Sequence, residues 1–273
     1  MSDLHFGWPA ILEQAEAVEA LPLIEHFDII VVSGDLSQRA RAGELQRAAV
    51  FLRNVQRAPP GMKAPALITV PGNHDVAWWF APLRVGRRSL LYAKYRRYIS
   101  EDLEPVVRIP GATFVGLNTA AGVDWHTLTW NPRDLSITGG LRKEQLLRAT
   151  EELAAVPAGE ARVVVMHHNP VRGELSRRFG LVRSERALEA FREMRVDLIM
   201  CGHDHQEAIH PVERAPGGPV VVTAGTISSR SRGGRPSAIN VVTLTSTTIE
   251  VETRAWSDRE GRFETRESRC FER

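Results

Sequence analysis

Five short runs in this chain combine carboxylates, amides and imidazoles at a spacing suited to metal ligation. They are Asp3-Leu4-His5, Gly34-Asp35, Gly72-Asn73-His74-Asp75, His167-His168 and Gly202-His203-Asp204-His205. Singly each run is weak, because a residue such as Asp35 can be only a turn former or helix cap, and His167 or His203 a satisfied core histidine. Together they offer enough oxygen and nitrogen donors to hold two divalent cations side by side, the arrangement used for metal-assisted hydrolysis. The set lacks thiolates, which suits Mn, Fe, Zn, Co or Ni and disfavours a cysteine-built zinc site. Cys201 lies in an apolar run and reads as inert packing.

Such residues work only if the chain brings them together. Apolar, β-branched runs at 27–33, 64–70, 161–166 and 196–201 predict strands covered on both faces, each ending just before one of the last four ligand runs. In open α/β sheets, ligands bind beyond the carboxyl ends of strands, so four strand ends can converge on one patch. Gly34, Gly72 and Gly202 then fit sharp exits that need positive φ. Between the strands, Leu45, Ala48, Ala49, Leu52 and Val55 recur at helical spacing. Leu146, Leu147, Thr150 and Leu153 do so again, as do Leu188, Phe191 and Met194. Pro9 suits the first turn of a helix running to about residue 20. The last third changes character: 220–223, 237–244 and 248–256 are rich in Val, Ile and Thr, and Thr245-Ser246-Thr247 predicts a hairpin. The chain therefore reads as one domain over 1–273, with the metal-site residues in 1–210 and strands at 219–256 completing a second sheet. The stretch 120–140 reads as a long loop, with Trp125 and His126 as candidate substrate contacts.

Composition excludes several classes. With 273 residues, 43% hydrophobic and 25% charged, the chain is long enough for a substantial core and is not disordered by default. Lys and Arg minus Asp and Glu is 35 − 33 = +2, a balance that favours neither nucleic acid nor a membrane as partner. Two cysteines make no disulfide framework, and no apolar run approaches the roughly 20 residues that span a bilayer. A cytoplasmic chain without a signal peptide is the expectation. Its oligomeric state is open, a homodimer included.

The ordered set Asp-x-His, Gly-Asp, Gly-Asn-His-Asp, strand-His and Gly-His-x-His resembles the calcineurin-like metallophosphoesterase superfamily, over Asp3 to His205. The flanks Ser33-Gly34-Asp35-Leu36-Ser37-Gln38-Arg39 and His167-His168-Asn169-Pro170 resemble its bacterial branch of cyclic-nucleotide phosphodiesterases and glycerophosphodiesterases. The resemblance implies a four-layer α/β/β/α sandwich of two mixed sheets. It implies that Asp3, His5, Asp35 and His205 hold one metal, and that Asp35 bridges to a second held by Asn73, His167 and His203. His74 would stabilise phosphoryl charge and protonate the leaving oxygen, with Asp75 orienting it. His168 and Asp204 would stand behind the ligands. The implied activity is in-line attack on phosphorus by a hydroxide bridging the metals, in a phosphodiesterase of small nucleotides or related diesters. The alternatives are a phosphomonoesterase or nuclease of the same superfamily and, outside enzymes, a binding module on this fold.

One departure matters. Relatives carry an apolar strand before Asp-x-His, whereas only Met1 and Ser2 precede Asp3 here. The expectation is that the natural start lies upstream; otherwise Asp3 and His5 are tethered from one side and the first metal site is loose. Trp78 and Trp79 read as packing residues. The cluster Arg84, Arg87, Arg88, Lys94, Arg96 and Arg97, interleaved with Tyr92, Tyr95 and Tyr98, reads as a solvated helix face. Arg230, Arg232 and Arg235, in a Gly-rich loop, are candidates to neutralise a distal phosphate.

Overall fold

The computed structural model describes residues 1–77, 88–120, 138–212 and 218–273. Trp78, Trp79, Trp125, His126 and the side chains of Arg84, Arg87 and Arg88 lie outside the described residues. The chain runs α1 (Leu12–Ile24), β1 (Ile29–Val32), α2 (Ala42–Asn54), β2 (Ala66–Thr69), a 3-10 turn (Asn73–Asp75), α3 (Arg88–Leu91), α4 (Ala93–Tyr98), β3 (Val106–Ile109) and β4 (Ala112–Leu117). It continues through α5 (Lys143–Ala154), β5 (Ala161–His168), α6 (Ser184–Glu193), β6 (Leu198–Gly202), β7 (Ala208–Pro211), β8 (Val220–Thr223), β9 (Ala238–Leu244), β10 (Thr248–Ser257) and β11 (Arg262–Glu272).

Six strands form one mixed sheet in the order β3-β4-β5-β6-β8-β7. Its four central strands are parallel and its two edge strands antiparallel. The facing layer joins the parallel pair β1-β2 to the antiparallel ribbon β9-β10-β11. Val31, Ile68 and Val70 meet Phe114, Val163, Val165, Val222 and Val251 in an apolar cluster between the two layers. α1 and α2 cover the outer face of the β1 layer through Val18, Phe51 and Leu52, and α5 and α6 cover the six-stranded sheet through Leu153 and Phe191. This is the α/β/β/α sandwich, and the near-continuous apolar strands follow from its doubly covered sheets. No helix among the described residues is long and apolar enough to cross a membrane.

Five elements depart from the sequence reading. The β3-β4 hairpin, turning at Pro110-Gly111, was not anticipated, nor was β7. The final ribbon continues past residue 256 into β11, whose alternate residues are mostly exposed and so carry little apolar signal. Helix α1 begins at Leu12, and Pro9 lies in the turn before it, where its carbonyl accepts the Ser229 amide.

The N-terminal segment is held on both sides. Met1 and Asp3 exchange backbone hydrogen bonds with Ser33 and Gly34 at 3.1 and 3.0 Å. Ser2 bridges in parallel to Thr226, whose hydroxyl donates to the Asp3 carbonyl at 2.6 Å. Asp3 and His5 are fully buried, so the loose site anticipated for them is not found. Between the edges of β1 and β9, which pair with other strands and not with each other, lies a cavity of about 400 Å³ lined in part by Met1, Ile30 and Val242. Tyr92 and Tyr95 are buried and the Tyr95 hydroxyl lies 3.4 Å from Thr69, so these tyrosines pack α4 onto the sheet layer.

Phe51 links this packing to the ligand runs: it is 1% exposed and its ring lies 5.5 Å from Phe6, next to His5. Phe51→Ala should cost about 3–5 kcal/mol, read as a lowered urea midpoint at unchanged slope.

Candidate metal centre

The carboxyl ends of β1, β2, β5 and β6 meet at one edge of the sandwich, two from each sheet, and the loop after β8 joins them. Asp35 leaves β1, Asn73 follows β2, His167 is the penultimate residue of β5 and His203 follows β6. Around them the donors form two groups. In the first, His5 Nε2 and His205 Nε2 lie 3.1 Å apart, His205 Nε2 lies 3.1 Å from Asp3 Oδ1, and His5 Nε2 lies 3.9 Å from Asp35 Oδ2. In the second, Asn73 Oδ1 is 3.2 Å from both His167 Nε2 and His203 Nδ1, and His167 Nε2 is 3.3 Å from Asp35 Oδ2. One carboxylate oxygen, Asp35 Oδ2, thus faces both groups.

This donor set fits a pair of divalent cations. Two imidazole nitrogens and a carboxylate oxygen point at one spot, and buried Asp3 Oδ1 accepts no hydrogen bond. Two of the ring nitrogens on the far side are held from behind, as is usual for ligating histidines, whereas buried His5 Nδ1 has no hydrogen-bond partner. His167 Nδ1–H donates to the Ser33 carbonyl at 2.8 Å, and His205 Nδ1–H donates to the Arg230 carbonyl at 3.2 Å, leaving each Nε2 aimed inward. Burial pushes the Asp35 carboxyl up, but His167 and His74 beside it outweigh this and hold it well below the carboxylate range. Burial opposes charge on His167 too, yet Asp35 and Asp3 raise it to about 9. His5 and His203 are pushed down to about 3, chiefly by burial, and so present neutral nitrogens.

The backbone here is unusual. Among the described residues nine non-glycine residues have positive φ, and five of these are Asp3, His5, Asp35, His203 and His205, at 47° to 73°. Strain sits on the candidate ligands themselves. Of the three glycines expected at positive φ only Gly34 has it, at 92°; Gly72 stands at −95°. Gly202 serves close approach instead: a Cβ there would lie 1.9 Å from Ser2 Oγ and 2.5 Å from Asp3 Oδ2.

Asp75 does not orient His74. Its carboxylate accepts the amides of Leu36, Ser37 and Gly72 at 3.1, 2.8 and 3.0 Å and the Ser37 hydroxyl at 2.9 Å, lashing the β1 and β2 exits together. Burial and nearby Asp35 raise its pKa to about 6. His74 Nδ1–H instead donates to the Gln38 carbonyl at 2.8 Å, and its Nε2 lies 3.4 Å from Arg230 Nη1. His168 Nδ1 meets Thr119 Oγ1 at 2.8 Å and its ring lies 4.5 Å from that of His203. It also offers a third ring nitrogen within 4.8 Å of those of His167 and His203. Asp204 is held by the Ser176 hydroxyl and not by either flanking histidine. Cys201 turns away, 3.5 Å from Thr223 Oγ1, and burial pushes its thiol up to about 12.

Sequence reasoning did not single out Arg230 from its neighbours and passed over Thr119, Thr226 and Ser228. The signal for the last two was present: Val220–Thr223 is another strand whose exit, Gly225-Thr226-Ile227-Ser228, repeats the strand-then-turn pattern of the ligand runs.

Gly202→Ala should displace Ser2 and Asp3 while leaving the Asn73–His167–His203 group intact. Metal analysis should then find fewer ions per chain than in the wild type, with near-wild-type circular dichroism.

The family model for calcineurin-like phosphoesterases matches residues 1–207. A comparison with curated protein sequences finds no match to this chain. Among solved structures, Vps29 of Chaetomium thermophilum aligns with all of this chain and 94% of its own length, at 12% identity and a TM-score of 0.46. Vps29 of Cryptosporidium parvum aligns over 100% and 96%, at 13% identity and a TM-score of 0.49. The calcineurin-like phosphoesterase YfkN of Bacillus subtilis aligns over 100% and 88%, at 11% identity and a TM-score of 0.44.

Proposed function

Because the chain belongs to the calcineurin-like phosphoesterase family, we propose that it is a dinuclear metal-dependent phosphodiesterase acting on a small nucleotide or related diester. The observation that carries this reading is Asp35 Oδ2, which stands 3.9 Å from His5 Nε2 and 3.3 Å from His167 Nε2 between two groups of inward-facing donors. A carboxylate shared in this way lets two dications sit close despite their repulsion. When bound, such a pair would polarise the phosphoryl oxygens and supply an ionised water at neutral pH.

The chain's own residues divide the rest of the work. Asp3, His5, Asp35 and His205 would hold one ion, and Asp35, Asn73, His167 and His203 the other. The Gln38 carbonyl fixes the His74 ring by its Nδ1–H, which leaves Nε2 to carry a proton to the leaving oxygen. The Arg230 guanidinium beside that nitrogen would meet the phosphoryl oxygens as charge develops on them. The net charge of +2 supports a small substrate over a long nucleic-acid chain, which needs an extended basic track.

A hydrolysis panel on metal-reconstituted protein tests this. Bis-p-nitrophenyl phosphate should turn over faster than p-nitrophenyl phosphate or single-stranded DNA. His74→Ala should lower kcat by about 10²–10⁴-fold at unchanged metal content. No turnover of any ester, cyclic AMP included, with Mn, Zn, Fe or Co would make the fold a binding module. Full activity in His74→Ala would remove that residue from proton transfer.

A further inference from the structure

We propose that the pocket beside the metal centre, bordered by His203 and by Arg183, Arg186 and Arg232, receives a phosphorylated nucleoside. The substrate would then be a dinucleotide carrying a terminal phosphate besides the scissile one. The inference rests on the phosphodiesterase reading above and adds the non-scissile half of the substrate.

The pocket has a volume of about 810 Å³, enough for a nucleotide, and it opens against His203, a candidate ligand of the second metal. A substrate with its scissile phosphate on the metals therefore has a ready volume for its next unit. The wall is built and not merely a gap between loops. Arg172 pairs with Phe179 across a tight turn, in which the Gly173 amide donates to the Arg178 carbonyl at 2.9 Å and Arg172 Nε–H donates to the Arg177 carbonyl at 2.7 Å. Leu181 next bridges to Gly139. At Gly180 a Cβ would lie 2.2 Å from Asn169 Oδ1 and 3.0 Å from His203 Cδ2, so only glycine lets this wall press against the metal centre. The result places Phe179, 50% exposed, on the rim of a polar pocket. A half-exposed ring on a fixed turn is a stacking platform for a base.

Charge identifies the other part of the ligand. Among the described residues, Arg183, Arg186 and Arg232 make no ion pair, whereas Arg235 and Arg254 are each engaged by two carboxylates. Arg183 precedes α6 and Arg186 lies in its first turn, so the partial positive charge of the helix end adds to theirs. Two carboxylates, Glu185 and Asp204, line the same pocket against these three arginines, and Asp204 lies near Arg232. Three arginines lining one pocket match a phosphate, which planar Arg binds through paired N–H groups. An aromatic face and an anion site in one pocket describe a phosphorylated nucleoside better than a sugar phosphate or a bare ion.

The test compares adenylyl-adenosine with and without a 5′ phosphate, alongside bis-p-nitrophenyl phosphate, which is too small to fill the pocket. Wild-type kcat/KM should be at least about 10-fold higher for the 5′-phosphorylated dinucleotide, the effect of one good charge-assisted contact. The triple variant Arg183→Ala, Arg186→Ala, Arg232→Ala should erase that advantage through KM and leave bis-p-nitrophenyl phosphate turnover within twofold of wild type. Phe179→Ala should weaken both dinucleotides and not the small ester. Equal rates on the two dinucleotides in the wild type, or a 5′-phosphate advantage that survives the triple variant, would overturn the inference. Should bis-p-nitrophenyl phosphate itself not turn over, it is the hydrolytic reading that fails. Fluorescence anisotropy with a labelled 5′-phosphorylated dinucleotide then decides the pocket alone: binding lost in the triple variant supports it, and binding unchanged or absent in the wild type overturns it.

Discussion

The arrangement depends on a buried carboxylate, Asp35, held where the two sheets meet. Its Oδ1 accepts the His74 amide at 2.8 Å and so ties the exit of β2 to the exit of β1. Its Oδ2 faces His5 on one side and His167 on the other. An ionised carboxylate out of contact with water is tolerated only when its charge is matched nearby. Here the matching groups come from both sheets, so satisfying Asp35 requires the two layers to be in register at this edge. The apolar cluster between the layers, from Val31 and Ile68 to Val163 and Val222, supplies the energy that holds them there.

That demand explains where the strain lies. Asp3 and His5, like His203 and His205, stand two residues apart, and an extended backbone would space such side chains roughly 7 Å apart along one face, too far for the close donor separations found here. Turning the backbone through the left-handed region at each of these residues swings the donors inward, at about 1–2 kcal/mol per residue. Asp and His are among the residues that tolerate this region best. The hydrogen bonds of the N-terminal segment to Gly34, Ser33 and Thr226 over-determine its path and keep the strained geometry in place.

Much of this was legible in the chain. Four apolar runs ending in Asp, Asn or His announce four strand ends, and the rule that such ends share one edge brings their side chains together. What was not legible has physical reasons. Hydrophobic pattern identifies strands but not which backbone atoms cap a side chain, so the Gln38 and Ser33 carbonyls behind His74 and His167 were invisible. Gly72 and Gly202 were assigned to positive φ because sequence cannot distinguish a glycine needed for backbone rotation from one needed for clearance. Covalent neighbours alone do not reveal what holds the N-terminal run, because part of its support comes from Thr226, more than 200 residues away. β11 escaped because an edge strand with mostly exposed side chains carries almost no apolar alternation.

Asp75 shows how position in a motif and physical role separate. Adjacent to His74, it invites the reading of an acid that orients a base. With four donors from Leu36, Ser37 and Gly72 on its two oxygens, little acceptor capacity is left for an imidazole. Those donors belong to the residues just after Asp35 and just before Asn73, so the carboxylate fixes the distance between the two turns that carry these candidate ligands. The His74 ring can then be oriented by a main-chain carbonyl from the same turn, Gln38, which cannot change protonation state. Separating the two tasks lets Asp75 fix the two turns while the Gln38 carbonyl orients the His74 ring.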